Sequence, residues 1–237
     1  MRTLLSKSYK KAQMCEIKYA IVMAAGRGMR MMPLTEDLPK AMAPYKGSTL
    51  IANGIEKIKK HIPNIYITVG YKGSMLAKHV IEHNVSGILN TEGQDNSWWI
   101  FNTLCRYIDE PVLVLTCDNV VELDYKELLV NYLASGSPCC MVVPVKPVEG
   151  LSGDYIFRDA NRKVSQLSRT EVSDIYCSGI QILNPSKINK LMSPKDNFYD
   201  VWTELIDLGE LYCSNTYPSK WFAVDTMEQL RLLGNDI

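Results

Sequence analysis

Apolar residues divide the chain into short runs of two periodicities. Tyr19–Met23 (YAIVM) predicts a short buried strand, Pro111–Thr116 (PVLVLT) a fully buried one, and Ile65–Val69 (IYITV) is strand-like. Ile88–Leu89 marks a shorter strand. Between these runs, Thr49–Ile62 sets Leu50, Ile51, Ile55, Ile58 and Ile62 at helical spacing, with lysines opposite. Ser74–His83 and Tyr125–Ala134 predict two more helices. Ser97 predicts the cap of another that runs to Tyr107, with Trp98, Phe101 and Cys105 on one face. Strand and helix alternate four times, which is the pattern of a parallel sheet covered by helices on both faces. After Ser137 the pattern changes. Cys139–Val145, Tyr155–Phe157, Lys163–Leu167 and Tyr176–Leu183 predict strands joined by turn residues, with helices only at Pro185–Met192 and Asp200–Leu208. The expectation is an α/β chain with a mixed, mostly parallel sheet and late antiparallel strands. It is one domain over residues 16–237 behind a poorly ordered lead-in of residues 1–15.

Composition narrows the function. The 237 residues are 46% hydrophobic and 22% charged, with 26 basic and 26 acidic side chains. That balance argues against nucleic acid as a partner. No apolar run approaches the roughly 20 residues that span a bilayer, so no membrane is expected. Lysines interrupt the N-terminus where a secretion signal would be apolar, and Met14 offers a second start. The seven cysteines are odd in number and lack CxxC spacing, which suggests neither a zinc site nor a disulfide framework. They read as small buried hydrophobes in a reducing, hence cytoplasmic, compartment. A homo-oligomer stays open. The pair His79 and His83 (HVIEH) lacks the HExxH order of a metalloprotease and reads as a solvated helix face.

The chemistry gathers in one stretch, MAAGRGMRMMPLTEDLPKAMAPYKG, from Met23 to Gly47. Gly26-x-Gly28 follows a buried strand, but Met31 stands where a dinucleotide fingerprint needs its third glycine. No Gly-Lys-Ser/Thr follows, so the stretch is not a P-loop. What remains is a glycine turn whose backbone N–H groups can cup a phosphate, with Arg30 and Lys40 beyond it. Met29, Met31, Met32 and Met42 are expected to pack beneath the loop.

These residues resemble the signature of the sugar-phosphate nucleotidyltransferases, G-x-G-x-R-[LM] followed by P-K, here Gly26 to Met31 and then Pro39-Lys40. Leu115-Thr116-Cys117-Asp118, Ser178-Gly179-Ile180 and Trp221-Phe222-Ala223-Val224-Asp225-Thr226 continue the likeness, which covers nearly the whole chain from Ile17 onward. The resemblance implies a Rossmann-like nucleotidyltransferase fold. It also implies attack of a phosphate monoester on the α-phosphorus of a nucleoside triphosphate, with release of pyrophosphate. In that scheme Arg30 holds the β- and γ-phosphates and Lys40 neutralises the α-phosphate. Asp118 and Asp225 ligate Mg²⁺, and the backbone of Ala24, Ala25, Gly26 and Gly28 brackets the nucleotide. The partners would be a nucleoside triphosphate and a phosphorylated small molecule, a sugar 1-phosphate first.

One departure points elsewhere. Gln94 to Leu104 (QDNSWWIFNTL) replaces the small residues that sugar-1-phosphate enzymes carry after the third strand. It is closer to the bacterial choline-phosphate cytidylyltransferases, as is Phe198-Tyr199-Asp200-Val201-Trp202. Trp98 and Tyr199 would then belong to an acceptor site that cages a quaternary ammonium, or else to the core. Glu92, with Gln94 and Asn96, reads either as a reader of a base or hydroxyl or as a plain polar loop. Gly179 either admits the acceptor close to the backbone or marks a bulge. Asp118 and Asp225 each have a blander reading as helix N-caps. A glycosyltransferase would need Asp-x-Asp, which Asp118-Asn119-Val120 lacks. An inactive nucleotide sensor would not require Arg30, Lys40, Asp118 and Asp225 together.

Overall fold

The computed structural model describes residues 16–148 and 153–235. The expected lead-in of residues 1–15, with Met14, lies outside the described residues. Strands are β1 (Tyr19–Met23), β2 (Pro44–Tyr45), β3 (Ser48–Thr49), β4 (Asn64–Val69), β5 (Gly87–Asn90), β6 (Val112–Thr116) and β7 (Asn119–Glu122). They continue as β8 (Cys140–Val145), β9 (Tyr155–Arg158), β10 (Val164–Ser168), β11 (Tyr176–Leu183), β12 (Leu211–Cys213) and β13 (Lys220–Ala223). Helices are α1 (Leu34–Asp37), α2 (Leu50–Lys59), α3 (Gly73–Glu82) and α4 (Trp98–Asn102). The later ones are α5 (Tyr125–Ala134), α6 (Pro185–Leu191), α7 (Phe198–Asp207) and α8 (Met227–Asn235).

The central sheet runs β10-β9-β11-β6-β1-β4-β5, with β8 on β11 and β12 on β8. β6, β1, β4 and β5 are parallel, and β11 joins β6 antiparallel. The expected mixed α/β sheet with late antiparallel strands is what forms. Three of the four, β1, β4 and β6, hold the apolar runs of the sequence, and because all four are parallel their C-terminal ends open on one edge. In sheets of this kind that edge is where ligands bind, beside the strand at which the connections reverse direction. Here that strand is β1, between β4 and β6.

One face is covered by α2, α3 and α5, whose Ile51, Ile55, Leu76, Val80, Leu128 and Tyr132 pack on Val22, Ile67 and Leu115. On the other face, residues of α4, α6 and α7, including Trp99, Ile188, Val201 and Leu205, pack on Ile21, Val112 and Val114. A third, smaller cluster joins Met31, Ala43, Tyr45, Leu50, Val120, Val224 and Leu233. It ties the glycine loop to the C-terminal segment.

The expected helix from Ser97 to Tyr107 is broken. Thr103 is extended (φ −120°, ψ 174°), and its hydroxyl donates to Trp99 O and accepts from Cys105 N. A short 3₁₀ turn, Leu104–Tyr107, follows. Ser97 does not cap α4, because its hydroxyl donates to Lys195 O at 3.0 Å. The competing partner lies 98 residues away, which local pattern cannot reveal. Met31 is buried as expected, but Met29 and Met32 are exposed. The six cysteines among the described residues are free, and burial lifts the thiols of Cys139 and Cys117 to about 12. Among the described residues no helix is long and apolar enough to cross a membrane.

Candidate active site

The glycine turn ends β1 and is folded from within. Thr35 Oγ1, buried, donates to Gly28 O at 3.0 Å, and Ala24 N donates to Thr68 Oγ1 at 3.0 Å. The Ala24 amide is therefore occupied, whereas Ala25 and Gly26 line a cavity of about 360 Å³. Gly28 sits at φ 69°, ψ 47°, in the left-handed region. A Cβ there would lie 2.7 Å from Lys40 Cβ, so the lysine stem runs directly against the glycine.

Lys40 opens a 3₁₀ turn after Pro39, and its ammonium reaches two carboxylates. Nζ lies 2.5 Å from Asp118 Oδ2 and 2.7 Å from Asp225 Oδ1. Arg30 Nη2 is 3.0 Å from the same Asp225 oxygen and remains 62% exposed. The two aspartates meet because β7 and β13 pair antiparallel, Ala223 opposite Asn119. Asp118 immediately precedes β7 and Asp225 follows β13, and Val224 N donates to Asp118 O at 3.0 Å. Burial alone would lower the Lys40 pKa, but Asp118 and then Asp225 outweigh it, and the pKa stands above 10.5. Arg30, Lys40, Asp118 and Asp225 thus converge from four separate segments of the chain.

The blander readings of the aspartates do not hold. Asp118 precedes a strand, not a helix. At the head of α8 it is Thr226 whose Oγ1 accepts from Gln229 N, while Gln229 Oε1 accepts from Thr226 N and Asp225 N. This reciprocal cap leaves the Asp225 carboxylate to the cations.

Two carboxylates that share one ammonium are close enough to share one divalent ion. Mg²⁺ is commonly held by one or two carboxylates plus phosphate oxygens, so Asp118 and Asp225 fit that donor set. No cluster of three or more metal-ligating His, Cys, Asp or Glu side chains occurs among the described residues.

Two cavities flank the C-terminal ends of β1 and β6. The first, beside Ala25 and Gly26, is lined also by Thr68, Tyr71, Thr91, Glu92, Gln94 and Trp99. The second, about 300 Å³, is lined by Asp154, Arg169, Gly179, Gln181, Phe198, Tyr199 and Trp202, among others. Met23, Thr116, Asn96 and Asn197 border both, so the cavities are neighbours at the ends of the two strands. Glu92 lies on the exposed wall of the first, and half-exposed Tyr199 on the second. Gly179, at φ 78°, sits where the pairing of β11 with β8 slips between Cys177 and Gln181, and it also lines the cavity. It is both a bulge and a wall.

Trp98 lines neither cavity and is half-buried. Its neighbour Trp99 is fully buried and does line the first cavity. Its indole N–H is the one buried side-chain polar group without a partner among the described residues. Sequence reading also passed over Asp154, Gln181 and Thr116. Gln181 carried a visible signal, as an amide between Ile180 and Ile182 in an apolar strand. Asp154 carried none.

Residues 19–231 match the model of a family described as Nucleotidyl transferase. The chain belongs to that family. Among its relatives is the bifunctional protein GlmU of Methanocaldococcus jannaschii, 34% identical over 110 residues, which are 46% of this chain and 27% of that protein. The aligned stretch thus spans about a quarter of GlmU's length. A mannose-1-phosphate guanyltransferase of Debaryomyces hansenii is 24% identical over 206 residues, 81% of this chain and 57% of that one. Among solved structures, the inositol-1-phosphate CTP transferase from T. maritima superposes with a TM-score of 0.74 at 15% identity, covering 93% of this chain and 96% of that one. The CTP:phosphocholine cytidylyltransferase from Streptococcus pneumoniae gives 0.73 at 19%, covering 92% and 98%. Likeness at these identities establishes the fold.

Proposed function

We propose that this member of the nucleotidyl transferase family joins a nucleoside monophosphate to a phosphorylated small molecule, with a sugar 1-phosphate or related hydroxylated phosphate ester as acceptor. An acceptor phosphate oxygen attacks the α-phosphorus of a nucleoside triphosphate. The bond from that phosphorus to the bridging oxygen breaks, and pyrophosphate leaves with its electron pair. The supporting observation is the convergence of Lys40, Arg30, Asp118 and Asp225 just beyond the strand ends that the two cavities share.

Two unit charges 4 Å apart repel by about 4 kcal/mol at an effective dielectric near 20. Bringing two phosphates together therefore requires fixed positive charge, and positioning is most of the catalysis. Lys40, held charged by two carboxylates, is the cation for the α-phosphate. Exposed Arg30 has the planar fork and the freedom to swing from Asp225 onto the leaving phosphates. Ala25 and Gly26 would let the nucleotide lie against the backbone, with Glu92 and Gln94 at its far end. Mg²⁺, held by Asp118 and Asp225 with phosphate oxygens, would supply the remaining charge compensation.

A second reading has phosphocholine as acceptor. Phe198, Tyr199 and Trp202 with Asp154 in one wall favour it, since aromatic faces and a carboxylate attract a quaternary ammonium. Pyrophosphate release measured across ATP, CTP, GTP and UTP against hexose 1-phosphates, inositol 1-phosphate and phosphocholine separates the two. The expected result is turnover with a hydroxylated acceptor that EDTA abolishes and Mg²⁺ restores. Pyrophosphate release that persists in EDTA would refute the metal role. Its absence with every pair would refute the reaction.

A further inference from the structure

β11 is an interior strand, bonded to β6 on one side and β8 on the other, and Gln181 lies between Val114 and Val142 in that register. It is 3% exposed. An amide in such surroundings needs partners for both its ends. Oε1 accepts from Trp202 Nε1 at 2.9 Å and from Cys140 Sγ at 3.1 Å. An indole N–H can only donate, so it fixes which end of the amide is oxygen, and the thiol agrees. The NH₂ end is directed away from both, and it has no protein partner among the described residues. This side chain lines the second cavity. Arg169 Nε, 3.0 Å from Asp154 Oδ1, partly neutralises the carboxylate that would otherwise attract a cation there.

We propose that Gln181 selects the acceptor, its amide N–H donating to an oxygen on the organic part of the phosphate ester. Hydroxylated acceptors are thereby favoured over those that end in an alkylammonium. The proposal rests on reading this cavity as the acceptor site. A trimethylammonium group offers no lone pair, so seating it would shut the cavity-facing amide donor off from water and leave it unpaired. A site built around a hydrogen bond rejects an analogue lacking it more strongly than it rejects a poor fit of methyl groups.

Two substitutions separate donation from packing. Gln181→Glu keeps an oxygen for Trp202 and Cys140 and removes the donor. Gln181→Met removes both. Pyrophosphate release is measured for wild type and both variants with glucose 1-phosphate, mannose 1-phosphate, inositol 1-phosphate and phosphocholine. Triphosphate affinity is followed by thermal shift as a check on folding. Both variants are expected to lose at least tenfold in kcat/KM on the hydroxylated acceptor, chiefly through KM. Their triphosphate affinity should stay as in wild type, and the ratio of phosphocholine to hydroxylated turnover should rise. If Gln181→Glu keeps wild-type selectivity while Gln181→Met loses it, the residue only positions Trp202 and the proposal is overturned. A wild-type enzyme that prefers phosphocholine overturns it too, while leaving nucleotidyl transfer intact. Triphosphate binding without pyrophosphate release on any acceptor overturns the reading of the cavity itself.

Discussion

Substituting Gly28 by alanine tests whether the loop holds Lys40 in place for its proposed role. Two costs arise. At φ 69° the alanine Cβ pays the left-handed penalty, about 1–2 kcal/mol. It would also lie 2.7 Å from Lys40 Cβ and 3.0 Å from Cδ, and the near end of a side chain cannot yield without its backbone. Gly47 supplies the control, since it has φ 71° with nothing within 4 Å of the added Cβ. Gly47→Ala is expected to lower Tm by the strain alone, roughly 2–8 °C at about 2–4 °C per kcal/mol for a chain of this size, with activity retained. Gly28→Ala is expected to lower Tm further and to cut kcat about a hundredfold, the scale set by displacing a reacting group by 1 Å. Differential scanning fluorimetry and a pyrophosphate-release assay read the two effects. If Gly28→Ala turns over like Gly47→Ala, Lys40 is either not displaced or not needed, and the placement of catalysis in this loop fails.

Lys40→Met leaves Asp118 and Asp225 facing each other, with Arg30 bound only to the latter. A stability loss near the lower end of about 3–5 kcal/mol is expected in chemical denaturation, together with at least a hundredfold loss of turnover. Near-normal values of either would remove Lys40 from its role. The Lys40 pKa is raised on folding, so its stabilisation is complete below 10.5 and fades as pH climbs through the higher folded value. The Tm gap between wild type and Lys40→Met should stay constant from pH 7 to about 9.5 and close above 10.5. A gap that closes on acidification down to pH 7 would contradict this sign. Thr226→Ala removes the cap of α8 and should cost about 1 kcal/mol, with a smaller loss of activity than Lys40→Met. Equal losses would mean that Asp225 is positioned by the cap rather than by its strand.

Three of the parallel strands, β1, β4 and β6, were legible as apolar runs, and the glycine loop because few chemistries place Gly-x-Gly-x-Arg directly after such a run. What local pattern left hidden is long-range. β7 and β13 are four-residue strands whose sequences, NVVE and KWFA, carry weak alternation, and only their mutual pairing makes them strands. Asp225 therefore looked like a helix cap in sequence, although Thr226 fills that place. Trp98 and Trp99 are neighbours with equal claims in a helical reading. The break at Thr103 and the tie from Ser97 to Lys195 accompany the burial of Trp99 and leave Trp98 half out. Gln181 needed Trp202 and Cys140 in view before the direction of its amide meant anything.

The pairing of β7 with β13 also sets a schedule for synthesis. A ribosome that has extruded every parallel strand and the whole phosphate loop has still made a polypeptide with one of its two acidic partners missing. Until residues 220–225 emerge and Lys220–Ala223 docks beside Asn119–Glu122, Lys40 has a single carboxylate to grip. Nascent or prematurely terminated copies that stop short of this point are expected to lack the proposed activity, however much of their core has already set.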